Sequence, residues 1–233
     1  MRDDHLIQRR HFIRTTSAVG AIGVLNGLGL MTGLAGAAAA GAVSKSTAND
    51  RVLRQLDAIA REFPTAAKEE AQFLGMLVRL SRAKRVLEIG TAYGYTTIWL
   101  GLALAETGGK LTTIEIAPER AEVAKQHVAA AGLSKYVNFR LGDAHAILPA
   151  LGGSFDIAYL DADKGGNEDY FNKLFPKKLP PGGLLVAHNA VLLAEKMKDY
   201  LERVRQHPEF DTLIISATPD DGLALSYRAR GRD

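Results

Sequence analysis

Apolar runs in this chain stop on side chains that can do chemistry. Phe155–Leu160 runs into Asp161-Ala162-Asp163-Lys164, Gly183–Ala187 into His188-Asn189, and Leu111–Ile114 into Glu115. If the first two runs are neighbouring strands of a parallel sheet, Asp161 and Asn189 sit at its carboxyl edge, facing the crevice where such sheets bind ligands. Oxygen donors of that kind suit a hard divalent cation such as Mg²⁺. Glu115, an acid ending an otherwise apolar strand, fits a ribose diol that a carboxylate accepts in bidentate fashion. Its other reading is a solvated residue opening a helix before Pro118.

The element that must position these groups is Arg85–Thr96, RVLEIGTAYGYT. Val86–Ile89 reads as a buried strand, Gly90 and Gly94 make a turn, and from Thr96 the pattern becomes helical. A strand, a glycine turn and a helix N-terminus together bind a nucleotide-like ligand, because backbone can approach it and N–H groups face it. A dinucleotide fingerprint needs glycines where this chain has Gly90, Ala92 and Tyr95, so it fails at two of the three positions. No Gly-Lys-Ser/Thr follows either, so a nucleoside without phosphates is the better fit. Gly142-Asp143-Ala144, ending the next strand but one, can approach an adenine from the other side. Asp143 can also cap the helix after it, and the two roles are compatible.

Around this element the chain alternates. Strands are expected at Arg85–Ile89, Leu111–Ile116, Val137–Leu141, Phe155–Leu160 and Gly183–Ala187. Helices fall at Thr96–Glu106, Pro118–Ala131, Ala144–Leu151, Tyr170–Phe175 and Leu192–Gln206. A closing pair, Thr212–Ser216 and Leu223–Arg228, is joined by Pro219-Asp220-Asp221-Gly222, short enough for an antiparallel link. The fold class is therefore α/β: a doubly wound, Rossmann-like, mostly parallel seven-stranded sheet with an antiparallel last strand and helices on both faces. Two helices precede it. One starts at a cap on Asn49 or Asp50 and runs through Phe63, with Leu53, Leu56, Ile59 and Ala60 as its apolar stripe. The other, Ala66–Ser81, buries Ala71, Leu74, Leu77, Val78 and Leu80.

Composition bounds the function classes. With 233 residues and 47% hydrophobic content the chain can bury one sizeable core. It has no cysteine, which excludes disulfides, thiolate metal sites and cysteine nucleophiles. Of the formal net charge of +3, two units belong to residues 1–42, leaving no basic stripe for nucleic acid. In that segment Arg9-Arg10-His11-Phe12-Ile13-Arg14 precedes an uncharged stretch, Ala18–Ala42, that ends in small residues. It resembles a bacterial twin-arginine export signal, with 43–233 as the folded domain, placing the mature protein in the periplasm or outside the cell. A membrane anchor and a disordered tail are the competing readings.

VLEIGTAYGYT, the strand ending in Glu115, and LGDA resemble the class I S-adenosylmethionine-dependent methyltransferases. Asp161-Ala162-Asp163-Lys164 after FDIAYL, then GGLLVAHN and PDDGLALSYR, are similar to the cation-dependent O-methyltransferases, which include catechol and caffeoyl-coenzyme A O-methyltransferases. The resemblance covers about residues 50–230. It implies S-adenosylmethionine as cofactor, held by Glu88, Gly90, Thr96, Glu115, Gly142, Asp143, Ala144 and Asp161, and a homodimer acting on a small phenolic or catechol-like acceptor. It also implies a divalent metal bound by Asp161 and by an Asp-Asn pair, matched here by His188 and Asn189.

His188 is a departure from that pattern and leaves three readings open. It joins the metal set and shifts it towards Mn²⁺, Fe²⁺, Co²⁺ or Zn²⁺. It acts as a general base in a metal-free site. Or it is a structural histidine hydrogen-bonded at a strand end. Lys164 matches the family's catalytic lysine. Burial beside a metal would lower its pKa and let it take a hydroxyl proton, and a solvated loop lysine is the alternative. Asp163 is expected to orient its neighbours. Gly165-Gly166-Asn167, with asparagine where the family often has tyrosine, suggests a mobile loop on the acceptor side. Competing functions are a nicotinamide-dependent dehydrogenase, disfavoured by Ala92 and Tyr95, and a non-catalytic cofactor-binding descendant, disfavoured by the retained Asp161, Lys164 and Asn189.

Overall fold

The structure, a computed structural model, describes residues 50–231, so the expected export segment lies outside the described residues. The strands are β1 (Arg85–Ile89), β2 (Lys110–Glu115), β3 (Val137–Leu141), β4 (Ile157–Leu160), β5 (Leu184–Ala187), β6 (Phe210–Ser216) and β7 (Gly222–Arg228). They form one sheet in the order β3-β2-β1-β4-β5-β7-β6. β1 to β5 pair in parallel, and β7 is inserted antiparallel to both β5 and β6.

Strand side chains alternate between two cores, as the period of two requires. Val86, Leu111, Ile157, Tyr159 and Val186 face the side covered by α1 (residues 50–62), α2 (Lys68–Ser81), α3 (Tyr95–Thr107) and α4 (Pro118–Ala130). Leu87, Ile89, Ala158, Leu160, Leu185 and Ala187 face α5 (Ala144–Ala150), α6 (Asn167–Leu174) and α7 (Lys198–Gln206). The central strands read as continuous apolar runs because both faces are covered. α3 is apolar all round for the same reason: it lies under α2 and against the sheet, with Tyr95 through Gly101 buried.

Some element details differ from the sequence reading. In α1 the set facing the core begins at Val52 and continues through Leu56 and Ile59, while Leu53 and Ala60 point outwards. In α2, Leu80 at 77% exposure is off the stripe. Residues 164–170 do not make a loop. A 3₁₀ turn over Lys164–Gly166 runs into α6, which starts at Asn167, and Asn167 and Tyr170 are buried. Glu168 and Asp169 in the first turn favour a helix N-terminus there. The expected helix from Leu192 is a 3₁₀ turn, Ala194–Met197, followed by α7. Ahead of it, Asn189 O accepts from Leu193 N, and Asp221 accepts from Leu192 N, holding the chain in a turn.

Candidate active site

The turn after β1 brings two strand ends into contact. Gly90 has φ +99°, and a Cβ there would sit 2.3 Å from the Asp161 carbonyl oxygen after β4, so only glycine fits. Ala92 also has a positive φ, +47°, in a region alanine seldom occupies. Its N–H donates to Glu115 Oε2 at 2.8 Å, while Glu115 Oε1 accepts from Ala117 N at 3.0 Å. Arg120 Nε adds an ion pair at 3.5 Å. Glu115 is thus fixed at the end of β2 with its carboxylate on the wall of a cavity.

That cavity has a volume of about 410 Å³, within the range of small-molecule sites. Gly90, Glu115, Gly142, Asp143, Ala144 and Asp161 line it, so most of the expected cofactor residues converge. Asp143 caps a helix from the cavity wall. Its Oδ1 accepts from His145 N at 2.8 Å as the cap of α5, and the residue also lines the cavity. The far wall is a stacked pair, His145 on Tyr170, with centroids 4.3 Å apart. Tyr170 donates to Asp163 Oδ1 at 2.5 Å, which bears out Asp163 as an orienting group. Burial works against a charged His145, but its hydrogen bonds to Asp169 and Asp163 outweigh it and raise the imidazole pKa.

Glu88 does not line this cavity, contrary to expectation. Two positions after Val86, it points to the α3 side and is fully buried. Its Oε2 accepts from Thr97 and Thr113, each at 2.6 Å, and burial pushes its carboxyl up to about 8 despite those bonds. Glu88 therefore joins β1 to α3 and β2 from behind the turn. Thr96 also misses this cavity and lines the second one.

The second cavity, about 170 Å³, is lined by the α1–α2 connection Pro64–Ala66, by Ala92 and Tyr93, and by Asp161, His188 and Asn189. Here side chains form a chain of ion pairs. His188 Nδ1 lies 2.8 Å from Asp161 Oδ1, and His188 Nε2 lies 2.9 Å from Glu70 Oε2 on α2. Lys164 Nζ, nearly buried, donates to the same Asp161 Oδ1 at 2.8 Å. Burial opposes charge on His188, yet its bonds to Asp161 and Glu70 lift its pKa to about 9. Burial likewise opposes ionisation of Asp161, but His188 and Lys164 outweigh it and lower its pKa. Asn189 takes φ +60° just past β5 and donates its amide to Asp221 Oδ2 at 2.5 Å.

This donor set does not fit the expected divalent metal. A metal-bound histidine offers a lone pair on one ring nitrogen, and both nitrogens of His188 face carboxylates. Asp161 Oδ1 is already shared by two cationic partners. Among the described residues, no group of three or more His, Cys, Asp or Glu side chains is arranged to hold a metal ion. The same geometry leaves His188 no free nitrogen to act as a base. Of the three readings, the hydrogen-bonded histidine at a strand end is the one the geometry matches.

Glu70 was missed because it lies 118 residues from His188. A signal existed: Glu70, Leu74 and Val78 share the buried stripe of α2, and an acid there requires a partner. His145 and Asp221 were also absent from the expected site.

The O-methyltransferase family profile matches residues 44–213. The chain is 39% identical over 131 residues to a catechol O-methyltransferase of Niastella koreensis, a match covering 54% of this chain and 58% of that protein. It is 34% identical over 184 residues to the catechol O-methyltransferase of Mycobacterium tuberculosis, covering 72% of this chain and 83% of that one. In fold it is similar to the O-methyltransferase TomG of Streptomyces achromogenes in complex with S-adenosylmethionine. There the TM-score is 0.68 at 28% identity, over 77% of this chain and 90% of the other. The fold thus has its counterpart in known proteins, and the chain belongs to the O-methyltransferase family.

Proposed function

We propose that this protein transfers a methyl group from S-adenosylmethionine to a hydroxyl of a small phenolic, catechol-like acceptor. The observation that carries the reading is that the two cavities share Gly90, Ala92 and Asp161. A donor in the first and an acceptor in the second meet at that wall. Glu115 takes the ribose hydroxyls of the donor, and Gly142-Asp143-Ala144 flanks its base. The acceptor hydroxyl is set beside the Asp161–Lys164 pair: the Asp161 carboxylate takes its proton, and the Lys164 ammonium steadies the oxyanion that results.

The acceptor oxygen then forms a bond to the methyl carbon as the carbon–sulfur bond breaks, and that electron pair stays on sulfur in the departing thioether. The sulfonium charge is neutralised in this step, so the protein's main contribution is holding oxygen, carbon and sulfur in line. The expected divalent cation finds no fitting donor set, and no step is assigned to it. Export through residues 1–42 and assembly as a homodimer belong to the same proposal and rest on sequence resemblance.

The test combines calorimetry with S-adenosylhomocysteine and transfer of label from S-adenosylmethionine to a panel of phenols and catechols. Lys164→Ala and Asp161→Ala should each lower transfer by roughly a hundredfold or more, with S-adenosylhomocysteine binding still measurable. Wild-type turnover in both variants would discard the assignment.

A further inference from the structure

The acceptor cavity has a feature for which a methyl-transfer site with a resident metal gives no reason. Behind its wall Glu70, buried on α2, meets His188 at 2.9 Å. A ring whose two nitrogens both lie within hydrogen-bond distance of carboxylate oxygens has no lone pair turned towards an ion. Beside it Lys164 is ion-paired to the oxygen that His188 also contacts. The four side chains are two carboxylates and two cations, so their formal charges cancel. Nothing within the clamp is left to offset a dication, and a buried uncompensated charge is strongly disfavoured. Asp221 lies beyond Asn189 and is already engaged by the Asn189 amide and by the N–H groups of Leu192 and Gly222.

We propose that His188, clamped between Glu70 and Asp161, together with Lys164, takes the place of a divalent ion in this protein, so that the site neither binds nor needs one. The clamp fixes Asp161 through its Oδ1, which both His188 and Lys164 contact at 2.8 Å. The acceptor changes accordingly. A metal orients an acceptor by taking two adjacent oxygens at once, and a clamp whose donors are all in use does not. An acceptor with a single acidic hydroxyl then serves as well as a vicinal diol. This consequence rests on the methyl-transfer reading, whereas binding of a metal is measured without turnover.

The experiment titrates Mn²⁺ into the full chain saturated with S-adenosylhomocysteine, reading free Mn²⁺ by electron paramagnetic resonance, for wild type and His188→Asp. The wild type should leave the free-ion signal unchanged into the millimolar range. His188→Asp removes one cation and adds one carboxylate, and should bind one ion at least roughly tenfold more tightly. In turnover assays, the wild type should work equally in chelator and in Mg²⁺ and should methylate monophenols within a fewfold of catechols. Stoichiometric Mn²⁺ binding by the wild type that Asp161→Asn abolishes would overturn the proposal, whether or not His188→Asp folds. Intact S-adenosylhomocysteine binding with no transfer to any acceptor would instead count against the proposed function alone.

Discussion

The two cavities that meet at Asp161 are built by different means. The donor side is made by backbone: a glycine turn, an alanine with positive φ and the capped start of α5, each set by a few consecutive residues. The second cavity, proposed for the acceptor, presents the side chains of Asp161 and His188 from the ends of β4 and β5, and their positions depend on Glu70 and Lys164, which pair with them from outside its lining. Backbone sites tolerate change in their surroundings and fail when a conformation is lost. Side-chain clamps fail when any one member is removed, because the remaining charges lose their partners.

That contrast can be broken at the shared wall. Gly90→Ala places a Cβ against the Asp161 carbonyl in a backbone region alanine avoids. It should cost about 2 kcal/mol of stability or more and remove both S-adenosylhomocysteine binding and transfer, as read by calorimetry and thermal unfolding. Glu115→Ala touches the donor side alone. It should weaken S-adenosylhomocysteine binding roughly 10- to 100-fold, the scale of lost charged hydrogen bonds, with much of kcat recovered at saturating donor. Glu70→Gln touches the acceptor side alone. A drop in kcat of roughly tenfold is expected with the donor KM unchanged, and an equal rise in donor KM would erase the distinction between the two sides.

An effect on stability alone concerns Glu88, which is buried beneath the turn after β1. Its carboxyl is raised from 4.5 to about 8 in the fold, so between those values the unfolded chain has released a proton that the folded chain retains. Stability therefore falls as pH rises across that window and levels off above it. Urea unfolding from pH 5 to pH 8 should show wild type losing stability relative to Glu88→Gln, and parallel curves would place the raised pKa elsewhere.

The same contrast explains what could be read from the chain. Gly90, Glu115 and Gly142 were legible because each ends an apolar run and acts through its own backbone or an adjacent strand. Strands β1 and β3 fell at the expected residues, β1 as a buried run and β3, VNFRL, through its alternation of apolar and polar residues. Glu88 is expected on the cofactor side by resemblance, and the alternation along β1 turns its side chain to Thr97 and Thr113. Asp161, Lys164 and His188 were placed together, but the state of His188 depends on Glu70, and no local pattern announces a partner on a distant helix. The start of α6 was missed because two glycines masked the acidic first turn that favours it.

Gly90 and the Asp161 carbonyl touch through main chain alone. In the proposed reaction the wall that donor and acceptor share is then polypeptide backbone, and a side chain at position 90 would thicken it, while the Asp161 and Lys164 side chains set where the hydroxyl sits against it.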